Sequence, residues 1–183
     1  GGKQRVEERL DRFTSQIKNG WAPDEPYYWL GNEPCFGSAY VYNYLGRAWK
    51  SQRLVRQIVN RFSNTPNGLP GDDDAGAMSA LYVFSAIGLY PYIPGIGGFI
   101  ITGPLFEKVE IKFANRKNIT LTAQNACTAN PYIRQITVNG KPYRSTWIEL
   151  KQLKNGIPLH FVMDNEPQAH WGSRPADAPP SFY

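Results

Sequence analysis

The sequence has few of the side chains that build metal centres or covalent cross-links. Its 183 residues include two cysteines, two histidines and two methionines. Two thiols cannot form a zinc site alone, and neither His160 nor His170 lies at metal-ligand spacing from Cys35 or Cys127. Nothing in the sequence fixes one cysteine close to the other. We therefore expect neither a thiolate zinc site nor a disulfide.

Long hydrophobic runs are also absent. The most apolar stretch, residues 75–90, is interrupted by Gly76, Ser79, Ser85 and Gly88. A membrane helix needs about 20 consecutive apolar residues. No membrane span is predicted.

Basic clusters are lacking too, although the formal net charge is +5. The 20 Lys and Arg residues are scattered, and the nearest approach to a cluster is Lys112, Arg116 and Lys117, in a segment that resembles a β-hairpin. No basic run and no aromatic RNA-binding motif occurs. Nucleic acid is not an expected partner.

The sequence does contain enough apolar residues for a buried core. Hydrophobic residues make up 42% and aromatic residues 14% of the chain. The aromatic content suits either core packing, which we favour, or flat surfaces for a ligand. The chain starts at Gly1 without an initiator Met, which predicts processing or a longer parent chain.

The first half has helical periodicity. Val6, Leu10, Phe13 and Ile17 share one helical face. Three further helices are predicted over residues 38–45, 50–62 and 75–87. In the third, Arg53, Arg56, Gln57 and Arg61 form the expected solvent face, and the fourth is apolar nearly all round and predicted to be buried.

The second half has strand periodicity. Six strands are predicted, over residues 99–101, 109–113, 119–123, 133–138, 146–148 and 159–163, with hairpins at Asn139-Gly140 and Asn155-Gly156. The last stretch, 165–183, should wrap the surface. The fold class is therefore α+β: helices in residues 1–92, then a small antiparallel β-sandwich and a wrapping tail in residues 93–183.

The strongest candidate for chemistry is the loop GLPGDDDAGAM at residues 68–78. Three consecutive carboxylates, Asp72, Asp73 and Asp74, precede the fourth helix, whose N-terminus favours their ionised forms. Two interpretations remain open. Asp74 is either a simple N-cap beside solvated neighbours, or an ionised general base or metal ligand that flanking glycines expose to a substrate.

A second candidate lies at residues 27–34, YYWLGNEP. Aromatic rings next to Asn32 and Glu33 are typical of sugar sites, where rings stack on sugars and oxygen atoms bind hydroxyls or Ca²⁺. The alternative, which the residues alone favour, is that the aromatics pack between helices and Glu33 belongs to a cap.

Weaker candidates lie near the end of the chain. Asp164, Glu166, His160 and His170 are more often surface or packing residues than catalysts. Asn118-Ile119-Thr120 matches the N-glycosylation sequon.

Together these motifs resemble the C-terminal part of glycoside hydrolase family 92. The blocks that carry the resemblance are GNEP (31–34), YVYNY (40–44), WKSQ (49–52), GLPGDDDAGAMSA (68–80), GLYP (88–91), VNGKP (138–142) and HWGS (170–173). They occur in order and cover nearly the whole chain.

The resemblance implies a calcium-dependent, inverting exo-α-mannosidase that acts on α-mannosyl glycans, secreted or periplasmic. It implies that residues 1–92 are the last helices of a catalytic (α/α)6 barrel. Asp74 would be the general base and Asp72 would help to position the water. Asn32, Glu33 and Asp74 would contribute to the Ca²⁺ site, with Trp29 and Asp73 as further substrate contacts beside Asn32 and Glu33.

Two departures from the family pattern matter. Cys35, Phe36 and Gly37 stand where many relatives have two histidines, and the family's general acid, a glutamate, lies upstream of the matching segment. The resemblance thus implies an enzyme whose acid, remaining barrel and N-terminal β-sandwich lie on a preceding part. The rival hypothesis is a non-catalytic carbohydrate-binding or structural fragment.

Overall fold

The computed structural model describes residues 2–20, 25–115 and 117–181. Helices dominate the first half of the chain and strands the second, which confirms the α+β class. The helices are α1 (Gly2–Phe13), α2 (Glu33–Phe36), a 3₁₀ helix (Gly37–Leu45), α3 (Ala48–Val59), α4 (Ala77–Ile87), α5 (Leu150–Leu153) and a second 3₁₀ helix (Pro175–Asp177). The strands are β1 (Ile17–Lys18), β2 (Tyr28–Trp29), β3 (Leu89–Tyr90), β4 (Gly98–Ile101), β5 (Lys108–Ile111), β6 (Ile119–Gln124), β7 (Tyr132–Val138), β8 (Lys141–Pro142), β9 (Trp147–Glu149) and β10 (Leu159–Asp164).

The first helix is shorter than its periodicity suggests. It ends at Phe13, and Thr14 then hydrogen-bonds back to the Leu10 carbonyl oxygen. The prediction that Ile17 continues the helix is wrong. Ile17 instead pairs with Tyr28 in a short parallel sheet, so that it packs against the same core from a strand.

Helix α3 buries a residue that its pattern places on the solvent face. Arg53 and Gln57 are exposed as predicted, but Arg56 is only 7% exposed. Arg56 Nη2 donates to the Pro104 carbonyl oxygen at 3.3 Å. The strand half of the molecule covers this face of the helix, and a helical pattern contains no information about such a neighbour.

Helix α4 is buried on one side only. Met78 and Leu81 are almost fully buried, but Ser79 and Ala80 are exposed and Val83 is 49% exposed. The prediction of burial all round is therefore wrong for the described part of the chain. An apolar side chain on this helix, such as Val83, can thus lie exposed within the described residues.

The strands form two larger sheets. The five-stranded sheet has the order β5-β6-β10-β7-β8 and the three-stranded sheet the order β3-β4-β9. Asn139 and Gly140 join β7 to β8 with φ angles of 51° and 73°, which confirms the predicted hairpin. However, β10 lies parallel to β6, so the larger sheet is mixed rather than antiparallel.

The second predicted hairpin is wrong. Asn155 and Gly156 follow the short helix α5, where the Gly156 N–H donates to the Leu153 carbonyl oxygen. Strand β9 pairs with β4 and not with β10. Gly156 is needed because its φ is 70°, a conformation that also ends helices.

The three-stranded sheet contributes residues to both hydrophobic cores. Its strand β4 places Ile100 in the helical core with Leu81, and Ile101 in the second core with Phe161. Alternate residues of a strand point to opposite faces, which explains this division. A domain boundary between residues 92 and 93 remains a prediction.

The C-terminal stretch contacts both halves of the chain. Trp171 joins the sheet core and is 8% exposed. The Asp177 carbonyl oxygen accepts the Thr146 N–H at 2.7 Å, and the Tyr44 hydroxyl donates to Pro180. Within the described residues, no helix is long and apolar enough to cross a membrane.

Candidate active site

Two loops meet where the strongest sequence motifs come together. A Cβ atom on Gly71 would lie only 2.5 Å from the Gly31 Cα atom and 3.2 Å from the Gly31 carbonyl oxygen. A Cβ atom on Gly31 would lie 2.7 Å from the Asn19 carbonyl oxygen and 2.8 Å from Trp29 Nε1. Glycine is needed at both positions because the backbones touch. This contact brings the GNEP and DDD segments to one place.

Trp29 lies next to this contact and is held by Asn19. Its indole Nε1 donates to the Asn19 carbonyl oxygen at 3.1 Å, and its ring is partly exposed. Tyr28, its neighbour, is fully buried and packs edge to face on Phe13 at 5.7 Å. The packing interpretation of these aromatics is therefore correct for Tyr28, whereas Trp29 keeps surface for a ligand.

Asn32 and Glu33 begin helix α2 on the GNEP side. Asn32 occupies the N-cap position, but its side chain makes no capping hydrogen bond. Its carboxamide is therefore not used to cap the helix. Glu33 is the first helical residue and is partly exposed. Pro34 follows it in the first turn, where proline is well tolerated.

In the aspartate loop, the side chain that accepts a hydrogen bond from helix α4 is that of Asp73 and not that of Asp74. Asp73 Oδ1 accepts the Ser79 N–H at 2.8 Å, and its carbonyl oxygen accepts the N–H groups of Gly76 and Met78. Helix α4 starts at Ala77, two residues later than predicted. Gly76 occupies the N-cap position, so the alternative in which Asp74 is the N-cap is wrong, and the Asp74 carboxylate does not cap the helix.

Three left-handed residues in succession turn the chain into α4. The φ angles are 45° at Asp74, 57° at Ala75 and 94° at Gly76. This conformation is costly for Asp and Ala, and such strain concentrates at functional sites. Asp72 and Asp74 are exposed on this turn.

The side chains of Glu33 and Asp74 lie close enough for one carboxyl group to donate a hydrogen bond to the other. This bond and the Glu33 charge raise the pKa of Asp74 above its usual value. The same bond, with a backbone hydrogen bond, lowers the pKa of Glu33 against the opposing effect of Asp72. Each of the two carboxyl groups therefore changes the pKa of the other.

No basic side chain neutralises this group in the part of the chain that the structure describes. The ion pairs found there do not involve Glu33, Asp72, Asp73 or Asp74. Carboxylates placed together without a cation repel one another and favour either a shared proton or a bound metal ion.

The donor set suits a hard cation only in part. Ca²⁺ takes six to eight oxygen ligands, typically from carboxylates, amides and water. Glu33, Asp74 and the carboxamide of Asn32 are of this type. Among residues 2–20, 25–115 and 117–181, however, no three Asp, Glu, His or Cys side chains are arranged to hold a metal ion. These three side chains would therefore supply only part of the ligand set that a calcium ion takes.

The weaker sequence candidates lie elsewhere in the fold. Asp164 ends β10, where its Oδ1 accepts the Glu166 N–H in an exposed turn. His160 and His170 are exposed, on β10 and on the tail. Cys35 and Cys127 are free thiols.

Sequence reasoning missed two residues that organise the site. Asn19 supplies the carbonyl oxygen that holds Trp29, and no pattern marks a backbone acceptor. Gly71 belongs to the GLPGDDDAGAM motif, but the motif does not show that its loop meets the loop of Gly31.

Carboxylates and a partly exposed indole on two loops that meet are side chains of the kind that carbohydrate sites use. A profile of the glycosyl hydrolase family 92 catalytic domain matches residues 1–165. The chain belongs to glycosyl hydrolase family 92.

Named relatives agree with this assignment. The chain is 35% identical over 189 residues to a protein of Arthroderma benhamiae described as an uncharacterized secreted glycosidase, covering 100% of this chain and 23% of the relative. It is 38% identical to the family GH92 α-mannosidase BT3965 from Bacteroides thetaiotaomicron, with a TM-score of 0.91 over 99% of this chain and 24% of that one. The inverting mannosidase BT2199 from the same organism is 32% identical, with a TM-score of 0.87 over 100% of this chain and 27% of that chain. The chain thus spans about a quarter of the length of these relatives.

Proposed function

We propose that this chain carries the general-base side of a calcium-dependent, inverting exo-α-mannosidase, which removes terminal α-mannosyl residues from glycans. The observation that carries the proposal is the Glu33–Asp74 carboxyl pair, which is at least partly exposed and has no basic partner among the described residues. The family membership and the relatives named as α-mannosidases support the choice of substrate.

Asp74 is the proposed general base and Asp72 helps to position the attacking water. A base must be ionised, within reach of water and firmly held. Asp74 is exposed, and its turn is fixed by the hydrogen bonds to Asp73. A raised pKa also makes Asp74 a stronger base when it is ionised.

Glu33 is not the acid partner of Asp74. Inversion needs two carboxyl groups about 6.5–9.5 Å apart, so that a water molecule fits between the base and the sugar. A hydrogen-bonded pair is much closer than that. We therefore assign the general acid to a glutamate on a part of the enzyme outside this sequence, together with the rest of an (α/α)6 barrel to which residues 1–92 belong.

Asn32, Glu33 and Asp74 are the proposed ligands for calcium. When bound, the ion would engage the mannose 2- and 3-hydroxyls and help to bend the ring toward its transition state. The proposed role of these residues is to orient that ion. Each offers an oxygen atom that is not ion-paired with a basic side chain among the described residues. Trp29 offers a ring face to the sugar, and Asp73 keeps its second carboxylate oxygen for a hydroxyl.

The remaining features complete the proposal. Residues 93–183 would form a C-terminal β-sandwich with its tail. Like the Arthroderma relative, the protein would act outside the cytoplasm, secreted or periplasmic. Detection of activity in the culture medium or periplasmic fraction tests this location, and activity confined to the cytosol would contradict it.

The base assignment is tested with Asp74→Asn in the full-length enzyme. We expect the rate of mannose release to fall about 10²- to 10⁴-fold, because proton abstraction from water is lost. Asp164→Asn is the matched control, since it removes a carboxylate from an exposed turn and keeps the acceptor for Glu166. Near-normal activity of Asp74→Asn would refute the role of Asp74.

The metal assignment is tested by calorimetry of Ca²⁺ binding to the full-length protein. Glu33→Gln should weaken binding at least tenfold, because a hard cation prefers a charged oxygen ligand. Chelation should abolish activity, and added Ca²⁺ should restore it. An enzyme that stays active without calcium, or binds it equally well after Glu33→Gln, would contradict the assignment.

A further inference from the structure

A groove of about 290 Å³ lies on the five-stranded sheet, and it shares no residue with the carboxylate site. Three segments line it: strand β7, the chain that follows β8, and the C-terminal tail. The tail contributes His170 and Trp171, which belong to the HWGS motif that the proposed function leaves unused.

A β-bulge gives the groove its first basic group. Ile133 pairs with Met163 and Gln135 with Val162, so that Arg134 between them has no partner residue on β10. Arg134 and Gln135 are consequently both exposed, although neighbouring residues of a regular strand point to opposite faces. Bulges are a common means of redirecting a side chain at a functional surface.

The opposite wall is fixed by hydrogen bonds between the loop and the tail. Arg144 Nη2 donates to the His170 carbonyl oxygen at 3.2 Å, and Trp171 Nε1 donates to the Tyr143 carbonyl oxygen at 3.1 Å. The Tyr143 hydroxyl donates to Trp147 at 2.7 Å. These bonds hold the Arg144 guanidinium and the Tyr143 ring in place before any ligand binds.

The groove is basic and lacks acidic lining residues. Arg134 and Arg144 form no ion pair within the described ranges. Of the nearby acids, Asp164 contacts the lining residue Gln168, and Asp177 is paired with Arg174 at 2.7 Å. Two arginines, a histidine and two glutamines therefore line one groove, without an acidic residue among the lining residues.

We propose that this groove binds a small organic oxyanion, a phosphate or carboxylate group carried by a sugar ring. Guanidinium groups match both anions with paired hydrogen bonds, and the Tyr143 ring provides a flat surface for the attached ring. The volume is close to the lower end of known small-ligand sites. The proposal does not depend on mannosidase activity or on calcium.

The test is a titration of the full-length protein, followed by NMR or calorimetry, with four probes. Glucose 6-phosphate, glucuronate and inorganic phosphate represent the two anions, and glucose is the neutral control. We expect saturable binding of at least one anionic sugar, tighter than inorganic phosphate, and no saturable binding of glucose. A preference between the first two probes identifies the anion as phosphate or carboxylate.

Arg134→Gln and Arg144→Gln should each weaken that binding about tenfold, as loss of a charged hydrogen bond predicts. Arg5→Gln, on the exposed face of α1, makes the same change in net charge and should have no effect. The proposal is overturned if no anionic probe binds saturably, or if the three variants weaken binding equally. Unchanged melting temperatures ensure that the comparison is between folded proteins.

Discussion

The contact between Gly31 and Gly71 should control both stability and catalysis, and Gly71→Ala tests it. The added Cβ atom would lie 2.5 Å from the Gly31 Cα atom, whereas ordinary contacts begin near 3.4 Å. The two loops would have to separate by about 1 Å, since both atoms belong to backbone or lie next to it. Neither loop can relieve the overlap by rotating a side chain.

The size of the effect follows from that displacement. Forcing an extra methyl group into a close contact typically costs about 1–3 kcal/mol. Separation of the loops also moves Glu33 away from Asp74, and a displacement of about 1 Å at a catalytic site can reduce the rate about 10²-fold. We therefore expect a lower melting temperature, a large loss of kcat and weaker Ca²⁺ binding in the full-length protein.

The control for Gly71→Ala is Gly97→Ala. A Cβ atom there would lie 3.7 Å from the Leu150 Cβ atom, which is an ordinary contact. Stability and kcat should change little in this variant. If Gly71→Ala also leaves the melting temperature and kcat unchanged, the two loops do not touch as described and the site geometry is wrong.

Three further predictions concern single residues. Asp73→Ala should lower the free energy of unfolding by about 1 kcal/mol, because the hydrogen bond to the Ser79 N–H is lost. Asp73→Asn keeps an acceptor and should lose less. Equal losses of the two variants in urea unfolding would argue against this hydrogen bond as a helix cap. Ala75→Gly should raise stability by up to about 1 kcal/mol because it relieves a φ of 57°, and a decrease would contradict the strain. Arg174 lowers the pKa of Asp177, so that this pair stabilises the fold above the unfolded pKa of about 3.9 and the stability is lost as the pH falls through the lower folded value. Arg174→Gln should move acid unfolding, followed by circular dichroism, to a higher pH; an unchanged midpoint would show that the pair does not contribute.

Local patterns predicted the elements whose causes are local. The apolar face of α3 and the Asn139-Gly140 turn both agree with the structure, since each depends on neighbouring residues. Arg56 is different. Its burial depends on Pro104 and the strands, which lie far away in the sequence.

The same distinction explains the errors in strand pairing. Asn155-Gly156 is a typical turn sequence, and Gly156 does adopt the left-handed conformation. It does so after the end of helix α5, however, and not between two paired strands. On one side, β10 pairs with β6, and the two strands run parallel. A long stretch of chain separates them in the sequence. Pairing of this kind is selected by which apolar faces share a core, and that information is spread over the whole chain.

For the candidate site, the sequence determined the residue types: carboxylates flanked by glycines, an amide, and aromatic rings at the start of short helices. It also determined the family, through the order of the motifs. The tertiary structure alone decided that the Glu33 and Asp74 carboxyl groups lie close together and that Asp73, not Asp74, accepts an N–H of the first turn of α4. The reason is physical: a motif specifies the side chains of one loop, but the distance between two loops is set by the backbone contact between Gly31 and Gly71.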